Sequence, residues 1–231
     1  MFPKCAGVFG ILLGLTGCVV VNDHTAPTEH DFRAIDRDDS EIVRAHFKMG
    51  AGNLRIGSGT DKLMRADFDF NVPAWKPEVQ YNAGVLRVSQ PEGHGTRFGN
   101  SKYEWDVRLS RDVKLDLDVN FGAGEARLDL GSLSLRRVDV HMGVGSLQMD
   151  LRGSPKHSYD VSINGGVGEA TVRLPSDVGI YAEARGGIGE ISAHGLHQDG
   201  STYYNDAYRK SPVTIKLDVH GGIGSIKLIS D

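Results

Sequence analysis

The chain has 231 residues, 39% of them hydrophobic, with 26 basic against 30 acidic side chains and a formal net charge of −4 at pH 7. That length suits one core of ordinary size, and the mildly acidic balance argues against binding nucleic acid or anionic lipid by charge. Both cysteines, Cys5 and Cys18, fall near the N-terminus, so the rest of the chain has no disulfide framework and must be held by packing.

Lys4 precedes an apolar stretch over residues 6–15, followed by Leu15-Thr16-Gly17-Cys18. This is the charge, length and small-residue ending of a secretory signal, and it is shorter than the roughly 20 apolar residues that span a bilayer. A cysteine directly after Leu-Thr-Gly resembles the bacterial lipoprotein processing site. The resemblance implies a signal peptide at 1–17 and a lipidated Cys18, carrying palmitate-type chains, as the first mature residue. It places the protein in the bacterial cell envelope as a membrane-anchored lipoprotein. Val19 lacks the Asp that holds many lipoproteins at the inner membrane, so the outer membrane facing the periplasm is expected, with the outer face of the cytoplasmic membrane as the alternative. Residues 18–40, rich in Asp, Thr, Pro and His, read as a flexible tether, and 41–231 as a single domain.

Six times the domain writes glycine, one small apolar residue, glycine: Gly50-Ala51-Gly52, Gly122-Ala123-Gly124, Gly143-Val144-Gly145, Gly166-Val167-Gly168, Gly187-Ile188-Gly189 and Gly222-Ile223-Gly224. The steps between first glycines are 72, 21, 23, 21 and 35 residues, and the tighter ones match one repeat per coil of a stacked structure. Apolar residues alternate with period two on both sides of each GxG, as in Val113, Leu115, Leu117, Val119 and Phe121 before the second copy and Ala126, Leu128 and Leu130 after it. The parity switches at the glycines. Each GxG therefore reads as a corner between two strands, the glycines supplying positive φ or the missing Cβ. The fold class predicted is all-β, a β-solenoid without substantial helix. The bulk of Val167, Ile188 and Ile223 is expected inside the corner, offsetting the small Gly165, Gly186 and Gly221 just before it, whereas Met49 with Ala51, Phe121 with Ala123 and Met142 with Val144 put bulk before the corner.

Residues 41–110 are the more irregular part. Strands are predicted at 64–70, 79–89 and 103–109, with Trp105 inward, Gly84 as a degenerate corner, and the whole covering the N-terminal end of the stack. In the regular part, 111–231, residues 194–210 are an insertion that carries Tyr203, Tyr204, Asn205 and Tyr208. It is expected to cover an exposed coil edge, and these four residues are the candidate partner surface, because aromatics with hydrogen-bonding tips suit a sugar or a protein.

Chemistry-bearing patterns are sparse. The GxG units lack the third glycine and the following helix of a dinucleotide site, and the Gly-Lys-Ser/Thr of a phosphate loop. His194 and His197 are two ligands without a third, which falls short of a zinc site. If coils stack in sequence order, Asp118 and Asp139 approach each other; cross-strand pairing with Arg137, Arg185 or Lys216 is the structural answer and a weak Ca²⁺ site the functional one. Asp116, Asp118, Asp129 and Asp150 fall on regular solvated strand faces, so a glycosidase pair is the alternative and not the leading reading. No cofactor or metal is expected.

Residues 103–151, with Tyr-Glu-Trp-Asp-Val-Arg-Leu, Val113-Lys-Leu-Asp-Leu-Asp-Val-Asn-Phe-Gly-Ala-Gly-Glu-Ala-Arg-Leu-Asp-Leu and Val-Asp-Val-His-Met-Gly-Val-Gly-Ser-Leu, resemble the bacterial toast-rack and adhesin-like repeat domains. The resemblance extends over about residues 42–229. It implies a β-solenoid of a cell-envelope protein without assigned activity, some relatives sitting in envelope-stress signalling, and it carries no catalytic residues. The function expected is a non-enzymatic binding or scaffold module. Its partner is an envelope protein or polysaccharide, and the alternative is a carbohydrate-active enzyme.

Overall fold

The computed structural model describes residues 27–92 and 101–231; the expected signal at 1–17, the expected lipidation site Cys18 and the start of the expected tether lie outside the described residues. The described residues form thirteen strands, most of them where apolar residues alternate: β1 (Glu29–Ile35), β2 (Ile42–Ser58), β3 (Met64–Phe70), β4 (Glu78–Asn82), β5 (Val85–Ser89), β6 (Tyr103–Leu109), β7 (Lys114–Asp129), β8 (Ser134–Asp150), β9 (Tyr159–Leu174), β10 (Gly179–His194), β11 (His197–Asp199), β12 (Thr202–Tyr204) and β13 (Thr214–Ser230). Among the described residues the one helical element is a single 3-10 turn at Pro73–Trp75.

The six strands that carry a GxG are 16 or 17 residues long and stack in parallel, in the order β2-β7-β8-β9-β13-β10. Their corners are in register: Gly124 lies beside Gly145, Gly145 beside Gly168, and Gly168 beside Gly224. Each strand is a bent rung of two arms, and a short return such as residues 130–133 starts the next rung. The fold is a β-solenoid.

One side of each arm is buried. Leu115, Leu117, Val119 and Phe121 face inward before the corner of β7 and Ala126 and Leu128 after it, while Val138, Val140, Met142, Leu147 and Met149 repeat the pattern in β8. Burying a side chain of this size contributes about 1.5–3 kcal/mol relative to exposure, and the rungs share one continuous core.

Two constraints select glycine at the corners. A Cβ on Gly143 would fall inside 3.0 Å of the Gly122 carbonyl oxygen, so the neighbouring backbone already occupies its place. Gly145 adds to the same crowding against Gly124 a φ of +137°, a region that L side chains enter at a cost.

The middle residue points the opposite way from the sequence expectation at three corners. Val167, Ile188 and Ile223 are exposed, as is Val144. The space beside the small preceding residue is filled from the far arm instead: the δ-methyls of Ile191 and Ile226 lie 3.6 and 3.0 Å from where a Cβ on Gly186 and Gly221 would stand. Compensation exists, but two residues beyond the corner.

Coil order departs from sequence order too. β13, the last strand in the chain, inserts between β9 and β10, pairing with both in parallel. The 19 residues between β10 and β13 give the chain the reach to pass back around β10.

The N-terminal end is closed by non-repeating strands. β5 runs beside the first arm of β2 and β6 beside the second, so together they form one interrupted rung. At the break, Gln90 Oε1 accepts the Gly50 N–H at 2.7 Å, standing where the next rung's corner carbonyl would be. Trp105 is buried as expected, edge-on to Phe68 at 5.4 Å and to Tyr103 at 5.6 Å. Gly84 is not a corner; with Ala83 it makes the two-residue hairpin between β4 and β5, both at positive φ. The tether is also shorter than expected, because β1 pairs antiparallel with β3 over all seven residues and His30 binds Asp69 at 2.7 Å. Backbone pairing and polar contacts make this strand.

Gly145→Ala should destabilise the protein by more than the ~1–2 kcal/mol of a left-handed non-glycine residue. Val144→Ala, outside the same corner, should stay within about 0.5 kcal/mol. Chemical denaturation of both variants checks the contrast.

Candidate functional site

The insertion after β10 builds the most elaborate non-repeating surface at the C-terminal end of the stack. β12 pairs antiparallel with β10, and β11 with β12, which puts Tyr181, Tyr204 and His197 side by side on one face. The turn that follows brings Tyr208 over this row: its ring centroid lies 5.3 Å from that of Tyr181 and 6.2 Å from that of Tyr204, while His197 lies 5.5 Å from Tyr204. The Arg209 guanidinium sits 5.2 Å from the centre of the Tyr208 ring. Asp206 bonds His197 Nε2 at 2.7 Å, and this bond holds the Asp206 carboxyl below its usual range. These groups line an open cleft of about 550 Å³ together with Asp199 and Lys210.

Arg209 has φ +65°, which costs a non-glycine residue roughly 1–2 kcal/mol. The turn holds it there: Lys210 and Ser211 both donate backbone bonds to the Ala207 carbonyl, at 3.0 and 2.9 Å. A cleft of aromatic faces rimmed by carboxylates and cations suits a flat partner group with polar edges, such as a sugar ring.

Three of the four candidate residues of the insertion, Tyr204, Asn205 and Tyr208, line the cleft, Asn205 as a buried residue, whereas the buried Tyr203 does not. Tyr203 packs into the core beneath β12. Asn205 accepts the Ile180 N–H at 2.9 Å and donates to the Val178 carbonyl at 2.7 Å, so it replaces a missing strand at the start of β10. Tyr181 and Arg209 complete the cleft and were not singled out by the sequence reading: Tyr181 lies inside a regular strand, and Arg209 is marked only by its backbone. Covering the coil edge, the expected role of the insertion, is what β12 does for residues 181–183.

The outward carboxylates find partners both along their own strands and across them. Asp139 takes the Arg137 guanidinium at 2.5 Å, Glu183 that of Arg185 at 2.6 Å, and Asp218 lies 3.0 Å from His220. Asp118, in register beside Asp139, accepts from Asn120 and lies 3.5 Å from His46 on β2, while Asp116 lies 3.7 Å from Arg136 on β8. A shared Ca²⁺ would have to displace these contacts. Among the described residues no three His, Cys, Asp or Glu side chains come together as a metal site. Asp150, one of the glycosidase candidates, is held below the usual carboxylate range by the Arg152 guanidinium at 2.6 Å, the reverse of the raised carboxyl that a general acid needs.

The family described as the N-terminal domain of toast_rack, DUF2154, matches residues 24–173. The chain belongs to the toast-rack family. Residues 122–228 also match the family described as cell wall-active antibiotics response LiaF, C-terminal. Among solved structures, this toast-rack chain is similar to a candidate cell adhesion protein from Clostridium sporogenes, with 30% identity over 89% of this chain and 100% of that one and a TM-score of 0.85. A candidate adhesin from Bacteroides fragilis aligns at 14% identity over 87% of this chain and 97% of that one, with a TM-score of 0.39. No curated protein matches the chain. None of these families and structures is described as an enzyme.

Asn205→Ala should cost about 1–3 kcal/mol, the desolvation of an unpaired buried group, and should loosen the tyrosine cluster, read as a loss of near-ultraviolet circular dichroism. For Asp150 the depressed folded value means that its stabilisation is complete above the ordinary 3.8 and is lost as pH falls below it. Asp150→Asn should therefore flatten the fall of Tm as pH drops below about 4.

Proposed function

We propose that this toast-rack protein is a non-catalytic binding module of the bacterial envelope, tethered through lipid on Cys18 and engaging an envelope polysaccharide or protein through its C-terminal cleft. The observation that carries the reading is the Tyr181, Tyr204 and Tyr208 cluster with Arg209 held in a left-handed backbone conformation beside it. Such outliers persist where surrounding structure over-determines them, and they concentrate at ligand sites. The likeness to the cell adhesion protein of Clostridium sporogenes supports binding as the general activity. The partly exposed aromatics supply stacking area and the rim charges supply orientation, which together favour a glycan with polar or ionic substituents.

Anchoring follows from the Leu-Thr-Gly-Cys motif, with the outer membrane as the proposed site because Asp is absent after Cys18. Cys18→Ser should move the chain from the membrane fraction to the soluble fraction of the producing cell. The cleft is tested by sedimenting the protein with purified cell-wall polysaccharide. The double variant Tyr204→Ala, Tyr208→Ala should lose at least about ten-fold in affinity, the effect of removing aromatic anchors, while Asp129→Ala, on an outward strand face, should not. Equal sedimentation of all three proteins would overturn the cleft as the binding site.

A further inference from the structure

Val144, Val167, Ile223 and Ile188 are 54%, 44%, 52% and 71% exposed. They are register neighbours on four successive rungs, so they form one continuous aliphatic ridge about 14 Å long at a rung spacing of ~4.8 Å. Nothing in the fold requires bulk there, since Ala51 and Ala123 occupy the same position on β2 and β7. Scattered exposed apolar residues are ordinary, but a contiguous file marks an interaction surface. The side chains are all β-branched, with little rotamer freedom to lose on contact.

The flanks of the ridge identify the occupant. Two residues before each corner stand His141, Asn164, His220 and Arg185, a file with no carboxylate; just after it stand Ser146, Glu169, Ser225 and Glu190, a file with no cation. We propose that the ridge is the contact face of a parallel dimer of this chain, with the two-fold axis running along the direction of stacking. That axis exchanges the two files, so each rung meets its own counterpart with donor opposite acceptor. Arg185 faces Glu190 of the partner subunit, and Asn164 faces Glu169 of the partner subunit. Arg185 already binds Glu183, and a guanidinium with five donors serves both carboxylates.

A two-fold axis across the stack would instead set each file against itself in reverse order, His141 opposite Arg185 of the partner subunit and Glu190 opposite Ser146 of the partner subunit, so that no cation meets a carboxylate. An anionic lipid surface is disfavoured by Glu169 and Glu190 beside the ridge. The parallel arrangement also leaves both N-terminal caps at the same end, as two chains tethered to one membrane need.

Single cysteines distinguish these cases in cells producing the full chain, read as dimer bands on non-reducing gels against the unsubstituted protein. With parallel ridges each position meets itself, so Val144→Cys and Ile188→Cys should each cross-link alone, at least about ten-fold more than Lys227→Cys on an outward arm face, the ratio of a specific contact over collision. Cross-linking only when Val144→Cys and Ile188→Cys are mixed would mean crossed ridges and would overturn the proposal. Monomer throughout, or equal dimer from Lys227→Cys, would overturn it as well. Val167→Glu with Ile223→Glu should weaken dimerisation in sedimentation equilibrium about ten-fold or more while Tm holds; an unchanged dimer would remove the ridge from the interface.

Discussion

Backbone crowding at the corners governs this molecule. Six bent rungs stack so closely that, at five successive corners, the carbonyl of one glycine fills the volume where a side chain on the next would begin. Everything else follows from keeping those bends aligned. Once the glycines are in register, the arms on both sides are in register too, and Leu128, Met149, Val172 and Leu228 become neighbours in a shared interior. Exposed side chains inherit the same ordering, which is why the outer surface is organised in files. The break at β2 illustrates how strict the requirement is: where the rung is interrupted, an amide from Gln90 supplies the missing carbonyl.

The arms were legible in the sequence because one face of each is dry, and period-two alternation is the direct imprint of that. The corners were legible as positions but not as orientations. Parity changes across the glycines, and a bend that sends Val144 outward satisfies the same string of letters as one that sends it inward. The compensating bulk, Ile191 and Ile226, sits in a column that is apolar in every rung, so nothing singled it out. β1 escaped notice for the opposite reason. It has no buried face, and strands held by hydrogen bonding and ion pairs leave no hydrophobic rhythm.

Rung order was hidden because the columns are chemically interchangeable. Ala182 and Leu217 both fit an inward slot, and either strand could stand beside β9 on composition alone. The site was half legible: aromatic content marked the insertion, but in the three-residue β12 no period exists to tell Tyr203, buried, from Tyr204, half-buried. Asn205 shows how a polar residue that resembles a ligand contact becomes a bracket for backbone groups.

The interleaved position of β13 gives this scaffold a temporal property. β13 follows both β9 and β10 in the chain yet stands between them, so the two earlier strands gain their shared neighbour only after β13 has been made. Until then neither can complete its backbone pairing on that side, and β13 acts as a keystone that joins the two.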